Sequence, residues 1–172
     1  MGQSAFVDVV DEKDNRLGQI PEAEAFKHKE KITRAIAVFV FNSKNELFLQ
    51  KRSKAKFINP LCWTASVTGY VNSKESYLEA AVRETMEELG IRIESYDLEF
   101  MEKTLVKTEP RQFFQSYRLV WDGIFRLNPT EIDSGKFFSI QEIKNMIKDG
   151  EKFSPSFLEL FEVLFSKDQS NK

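Results

Sequence analysis

The sequence predicts an α+β domain, a layered α/β/α sandwich around a mixed β-sheet, on three observations. Strand-like runs follow one another in hairpin order and are interspersed with a few helices, which favours a mixed sheet. The run Arg34–Phe41, RAIAVFVF, is apolar on both faces and rich in β-branched and aromatic residues, as a strand covered on both sides must be. Three helices carry their own start signals: Ser76 with Glu79, Ser139 with Glu142, and Ser154 followed by Pro155.

The elements follow in order. Phe6–Val10 and Arg16–Ile20 flank the polar run Asp11-Glu12-Lys13-Asp14-Asn15 and read as a hairpin. Pro21 opens a short helix over Glu22–Glu30. Arg34–Phe41 is the central strand, Asn42-Ser43-Lys44-Asn45 a turn, and Glu46–Arg52 the returning strand. After a basic loop, Lys51–Lys56, and the Asn59-Pro60 turn, Trp63–Thr68 reads as a strand ending at Gly69. The helix capped by Ser76 ends at Gly90, with Leu78, Val82, Thr85 and Leu89 as its apolar side. Asp97–Val106 and Gln112–Arg126 read as strands around the turn at Thr108–Arg111. Their aromatic residues Phe113, Phe114, Tyr117 and Trp121 are core by default, or base-stacking if they face a cleft. Helices from Ser139 to about Lys148 and over Pro155–Phe165 complete the pattern.

A chain of 172 residues suits one domain, since domains commonly hold roughly 100–200. A single domain is expected over 1–172: an N-terminal hairpin and short helix over 1–31, a core over 32–165, and a frayed polar tail over 166–172. With 41% hydrophobic and 30% charged residues the composition is globular and not that of a disordered chain. A net charge of -2 provides no footprint for nucleic acid. No apolar run approaches the roughly 20 residues of a membrane span, and MGQSAFVDVVDEKDN has no signal-peptide core. No membrane partner and a cytoplasmic location are therefore expected. One cysteine, Cys62, and one histidine, His28, exclude an internal disulfide and a zinc site of the usual Cys/His type. Cys62 reads as a small buried residue.

The chemistry concentrates in GYVNSKESYLEAAVRETMEELGI, Gly69–Ile91. On a helix of about 3.6 residues per turn, Glu84, Glu87 and Glu88 stand at i, i+3 and i+4 and share one narrow face. Like charges at this spacing cost roughly 0.2–0.5 kcal/mol per pair. A hard divalent ion with oxygen ligands would turn that repulsion into coordination. Three glutamates alone also describe a solvated acidic face; the flanking residues decide. Gly69, five residues, Glu75, seven residues, then Arg83-Glu84-Thr85-x-Glu87-Glu88-x-Gly90-Ile91 resembles the Nudix box, with every fixed position filled.

The resemblance implies a Nudix-like fold and metal-dependent hydrolysis of a diphosphate linkage, in substrates of the type nucleoside diphosphate linked to another group. It implies Mg2+ or Mn2+ as cofactor, a small-molecule diphosphate as partner, and Glu84, Glu87 and Glu88 as metal ligands. Glu84 is also the leading candidate to orient or deprotonate water. Arg83 would be the structural partner of the cluster; from spacing it reaches Glu79 and Glu87. Glu75 would support the loop or a nearby water, and the Thr68 carbonyl would be an extra metal ligand. Glu131, in a late loop, is the candidate for a further ligand or general base, and an ordinary loop acid remains the alternative. Arg52 and Lys54 of the basic loop, with Tyr70 after the box glycine, are the substrate-side candidates. Ser53, Lys54 and Lys56 could meet a phosphate, with a solvated loop as the alternative. The family also suggests a homodimer, with the many Phe residues as interface material.

Residues 5–91 further resemble the branch that contains isopentenyl-diphosphate isomerase and its hydrolase-like relatives, through VVDEKDNRLGQIP, TRAIAVFVF, LFLQKRS and Trp63-Thr64-Ala65-Ser66-Val67-x-Gly69. The isomerase carries a catalytic Cys before the box glycine and a His after it; here these are Thr68 and Tyr70. Thr33 stands where its relatives tend to have a metal-binding His, and Gln115-Ser116-Tyr117 where they have a Glu-rich element. Loss of the proton-transfer pair with retention of the acidic set points to hydrolysis. Isoprenoid-diphosphate isomerisation, or non-catalytic diphosphate binding by a regulatory module, are the alternatives.

Overall fold

A computed structural model describes residues 5–166. The elements are β1 (Phe6–Val10), β2 (Arg16–Pro21), α1 (Glu22–Ala25), β3 (Ile32–Phe41), β4 (Leu47–Arg52), β5 (Trp63–Thr64), β6 (Val67–Tyr70) and α2 (Tyr77–Leu89). A 3-10 turn (Ser95–Asp97) follows, then β7 (Glu99–Val106), β8 (Gln112–Val120), β9 (Ile132–Phe138), α3 (Ile140–Lys148) and α4 (Pro155–Phe165).

Strand β3 is the hub. One edge pairs in parallel with β8 from Thr33–Gln112 to Phe41–Val120. The other edge is shared in turn by β1 at Ile32 and Thr33, β6 over Ala35–Val38, and β4 at Phe41. The rest of β4 diverges to pair with β5 and β9. A strand paired on both edges and covered on both faces favours apolar side chains, which is why Ala35–Phe41, AIAVFVF, is apolar throughout.

Alternation along β3 sorts its side chains into two layers. Ala35, Ala37, Phe39 and Phe41 pack with Phe157, Leu160, Phe161 and Phe165 of α4 and Ile143 of α3. Ile36, Val38 and Val40 pack with Ala80, Ala81 and Leu89 of α2. The α/β/α sandwich follows directly. Phe157, Phe161 and Phe165 recur every four residues on α4, each ring centroid 5.1–5.4 Å from the next, with Phe165 edge-on to Phe39.

Several boundaries differ from expectation, each for a local reason. The helix expected over Glu22–Glu30 is the single turn Glu22–Ala25. Lys27 and His28 donate to carbonyls three residues back, and the chain turns off to enter β3. The strand expected over Trp63–Thr68 is split at Ala65–Ser66, where the chain changes partner from β4 to β3. Buried Ser66 fills the gap: its hydroxyl donates to the Phe48 carbonyl and accepts from the Val40 N–H. The strand expected from Gln112 to Arg126 ends at Val120, and β9 is an addition to the expected set. The N-cap expected from the Ser154 side chain is not formed; that hydroxyl donates to Thr64 Oγ1, 2.9 Å away. Cys62 is half-buried, not buried. The tail expected to fray over 166–172 lies outside the described residues except for Ser166.

The N-terminal hairpin joins the same sheet and is locked to it by charge. Asp14, at φ 64, places its carboxylate 2.7 Å from Arg34 Nε and 3.0 Å from the Tyr77 hydroxyl, with Lys103 as a third partner. Burial pushes this carboxyl upward, but Lys103 and Arg34 outweigh it and hold it below the usual carboxylate range. The hairpin in turn braces the loop before α2, where the Ser73 N–H donates to the Phe6 carbonyl at 2.7 Å. Among the described residues no helix is long and apolar enough to cross a membrane.

Replacing Phe39, fully buried beneath α4, with Ala is expected to cost about 3–5 kcal/mol in equilibrium urea unfolding. A loss below about 1 kcal/mol, the scale of an average substitution, would contradict the central position of β3.

Candidate active site

The acidic face is presented by a helix whose two ends are well specified. Ser76 and Glu79 form a reciprocal capping box, and Gly90 closes the helix at φ 67, the left-handed conformation of a C′ glycine. Beyond Gly90 the Arg126 and Asn128 N–H groups donate to the carbonyls of Leu89 and Glu88, at 2.8 and 2.9 Å. The loop after β8 thus satisfies carbonyls left open at the end of α2 and is held beside its acidic face.

Arg83 organises the cluster. Its guanidinium grips Glu75 bidentately (2.8 and 2.9 Å), meets Glu84 at 2.7 Å and Glu87 at 3.3 Å, and donates to the Tyr70 carbonyl at 3.0 Å. The Glu87 contact agrees with the spacing argument. The expected Glu79 contact is absent, because that carboxylate is spent on the Ser76 backbone and hydroxyl.

Only Glu87 behaves as a surface acid, with its side chain 54% exposed. Glu84 is largely buried, because its carboxylate lies where a side chain at residue 69 would be: a Cβ on Gly69 would stand 2.2 Å from Glu84 Cδ. Glu88, expected on the same open edge, belongs instead to the buried side of α2, where the Gln50 amide donates to it at 2.6 Å. Burial pushes Glu84 up to about 7 against the pull of Arg83, with Glu87 adding to the rise. Burial, reinforced by Glu84, also drives Glu88 well above the usual carboxylate range despite the Gln50 amide.

These groups line a cleft of about 340 Å3. Glu84, Glu87, Glu88, Arg83, Thr68, Tyr70, Arg52 and Glu131 all border it. Of the basic-loop residues expected to meet a phosphate, Lys56 borders it; Lys54 is exposed and Ser53 buried, and neither lines it. Lys56 Nζ lies 2.5 Å from Glu131 Oε2. Burial, with Glu22 adding to it, pushes the Tyr70 hydroxyl up to about 12, so it is a neutral donor near pH 7. Of the core aromatics named from sequence, Phe114 reaches the cleft wall. Glu22, Glu109, Asn128 and the start of α4 also border the cleft, and sequence reasoning missed them. They come from four distant segments, and nothing in their local pattern connects them.

Among the described residues no three acidic, His or Cys side chains converge in an arrangement that would hold an ion; Arg83 occupies Glu84, and Gln50 occupies Glu88. The chemistry of the set nonetheless fits a hard divalent cation. The donors are carboxylate oxygens, Gly69 makes room for one of them, and two are buried with too little positive charge to favour ionisation.

Residues 31–161 match the NUDIX domain family. The chain belongs to the Nudix family. Its Nudix relatives include isopentenyl-diphosphate Delta-isomerase 1 of Photorhabdus laumondii, 30% identical over 84% of this chain and 85% of that protein. A Nudix hydrolase of Deinococcus radiodurans is 29% identical over 95% of both chains. The crystal structure of DR0079 from the same organism superposes with a TM-score of 0.82 at 28% identity, covering 93% of this chain and 99% of that one. The Nudix fold and the mixed α+β architecture expected from the sequence are both present.

Two outcomes follow for the Nudix box. Gly69→Ala is expected to displace Glu84 and weaken Mn2+ binding about tenfold or more, measured by titration calorimetry; unchanged affinity would remove Glu84 from the ligand set. The second concerns pH. A carboxyl raised to about 7 on folding stabilises the metal-free protein below its unfolded value near 4.5, and that stability is lost as pH rises through 7. At about 1.4 kcal/mol per unit the loss is roughly 3 kcal/mol for Glu84 alone. Thermal melting in EDTA is therefore expected to weaken between pH 5 and 8, and added Mg2+ should restore more stability at pH 8 than at pH 5.

Proposed function

We propose that this protein hydrolyses a diphosphate linkage in a nucleoside diphosphate joined to another group, using Mg2+ or Mn2+, and that it does so in the cytoplasm. The observation that carries the reading is the buried carboxylate of Glu88 beside the largely buried one of Glu84, in a cleft that also holds Arg52 and Lys56. Glu84, Glu87, Glu88 and the Thr68 carbonyl would hold the ion, which when bound neutralises diphosphate oxygens and lowers the pKa of a coordinated water.

The chain's own groups then have distinct tasks. Arg83 keeps the carboxylates together and in register with the Tyr70 carbonyl. Glu84, whose carboxylate lies against Gly69 on the cleft wall, is placed to orient or deprotonate water. Glu131 is the alternative acceptor and must first leave Lys56, which is then free to meet a phosphate oxygen together with Arg52. Tyr70 supplies a neutral hydroxyl donor. A homodimer is the proposed assembly.

Isomerisation of an isoprenoid diphosphate is the second reading, favoured by the similarity to isopentenyl-diphosphate isomerases. Thr68 and Tyr70 border the cleft where proton donors and acceptors of that reaction would be needed. His28 lies outside the cleft lining, beside Glu30 at 3.5 Å. Incubation with isopentenyl diphosphate in deuterated water is expected to leave carbon-bound protons unexchanged; exchange would reverse the assignment.

A panel of nucleoside diphosphate conjugates with Mg2+ or Mn2+, scored for the bond broken, tests the first reading. Glu84→Gln is expected to lower kcat about 10²–10⁴-fold. Glu88→Gln should remove most turnover while melting no lower than the wild type in EDTA, since it replaces a buried acid with a neutral amide. Full turnover in either variant, or a panel with no product at all, would overturn the proposal.

A further inference from the structure

Strand β4 carries a polar residue where its pattern calls for an apolar one. Its side chains alternate: Leu47 and Leu49 enter the layer under α3 and α4, and Phe48 enters the layer under α2. Gln50 falls on the Phe48 side, with 2% of its surface exposed. Both edges of β4 are paired at this point, to Thr64 of β5 and Gly135 of β9. Packing alone would be better served by Leu or Met, because a buried amide costs stability unless its hydrogen bonds are made.

The two N–H bonds of that amide show what it does. Nε2 donates at 3.2 Å to the Ser66 carbonyl, where the chain passes from β5 to β6, and at 2.6 Å to Glu88 Oε2. Ser66 is itself pinned, its hydroxyl set between the Phe48 carbonyl and the Val40 N–H. The donor is therefore anchored on the sheet and aimed at a carboxylate on α2. Among the described residues Gln50 is the only hydrogen-bond donor to Glu88; Arg83 is committed to Glu75, Glu84 and Glu87. With Oε2 held, Oε1 is the oxygen left for the cleft that Glu88 lines. A neutral donor suits this task. A lysine could hold the same oxygen, but its full charge would compete with a divalent ion for the carboxylate, whereas an amide fixes direction and leaves the negative charge in place. Resting on the metal-dependent reading above, we propose that Gln50 is a positioning residue: anchored on the Ser66 carbonyl, its amide holds one oxygen of Glu88 so that the other is presented to a divalent ion in the cleft.

Neither metal nor turnover is needed for the first measurement. In crystals of the metal-free protein, Gln50→Met, which keeps the volume and removes the donor, is expected to show the Glu88 carboxylate displaced from its wild-type position. An unmoved carboxylate would overturn the proposal. In titration calorimetry the same variant is expected to bind Mn2+ about tenfold or more weakly than the wild type. In a Glu88→Gln background, adding Gln50→Met should leave Mn2+ affinity within about twofold, because its effect runs through Glu88. A merely structural role, satisfying the Ser66 carbonyl, would weaken binding equally in both backgrounds; that result, or no weakening in either, would also overturn the proposal. Gln50→Leu gives the same readouts should Gln50→Met not fold. A wild type that binds no Mn2+ would overturn the metal-dependent reading alone, since the position of Glu88 in metal-free Gln50→Met still decides whether Gln50 positions it.

Discussion

The guanidinium of Arg83 is the contact on which the site depends. Glu75 lies before the helix, Glu84 and Glu87 on it, and Tyr70 at the end of a strand, and Arg83 bonds to all four. Without a cation among them these carboxylates would repel one another across a partly dry cleft, where screening by water is weak. Lysine could not substitute. The geometry uses the planar fork twice, once bidentately on Glu75 and once across the helix face, and an ammonium has no fixed directions to offer. The same contact keeps Glu84 in the space that Gly69 leaves open, so a glycine, an arginine and a glutamate fourteen and fifteen residues further along form one structural unit.

The sheet places that unit where it is accessible. Strand β3 gives one edge wholly to β8 and divides the other among β1, β6 and β4. Where β6 ends, Gly69 and Tyr70 meet the acidic face of α2, and β4 delivers Gln50 and Arg52 from the other side. The N-terminal hairpin extends this arrangement. Asp14 fastens it to Arg34, Tyr77 and Lys103, and just beyond it Glu22 reaches the cleft margin. Segments remote in sequence thereby share one rim, with Lys56 and Glu131 closing another side through their ion pair.

Much of this is legible in local chemistry alone. The capping boxes at Ser76 and Ser139, the Gly90 terminus and the two-faced apolar run of β3 are short-range patterns, and each is present as expected. The spacing of Glu84, Glu87 and Glu88 likewise depends only on helix geometry. Local patterns mislead where a residue's state depends on what lies across from it. Residues 22–30 are good helix formers, but the path into β3 stops α1 after one turn. β9 carries Asp133, Ser134 and Gly135 and has no strand pattern; only pairing with β4 makes it one.

The sequence by itself determined the Nudix box, its metal-compatible donor set and the absence of the isomerase's Cys and His, because these are matters of residue type and spacing along one helix and its flanks. Tertiary structure decided which carboxylates are dry, which arginine contacts are made, and that Lys56 and not Lys54 borders the cleft. Those properties depend on distances between segments far apart in the chain, and burial, the quantity that sets the charge state of Glu84 and Glu88, exists only once those segments have met.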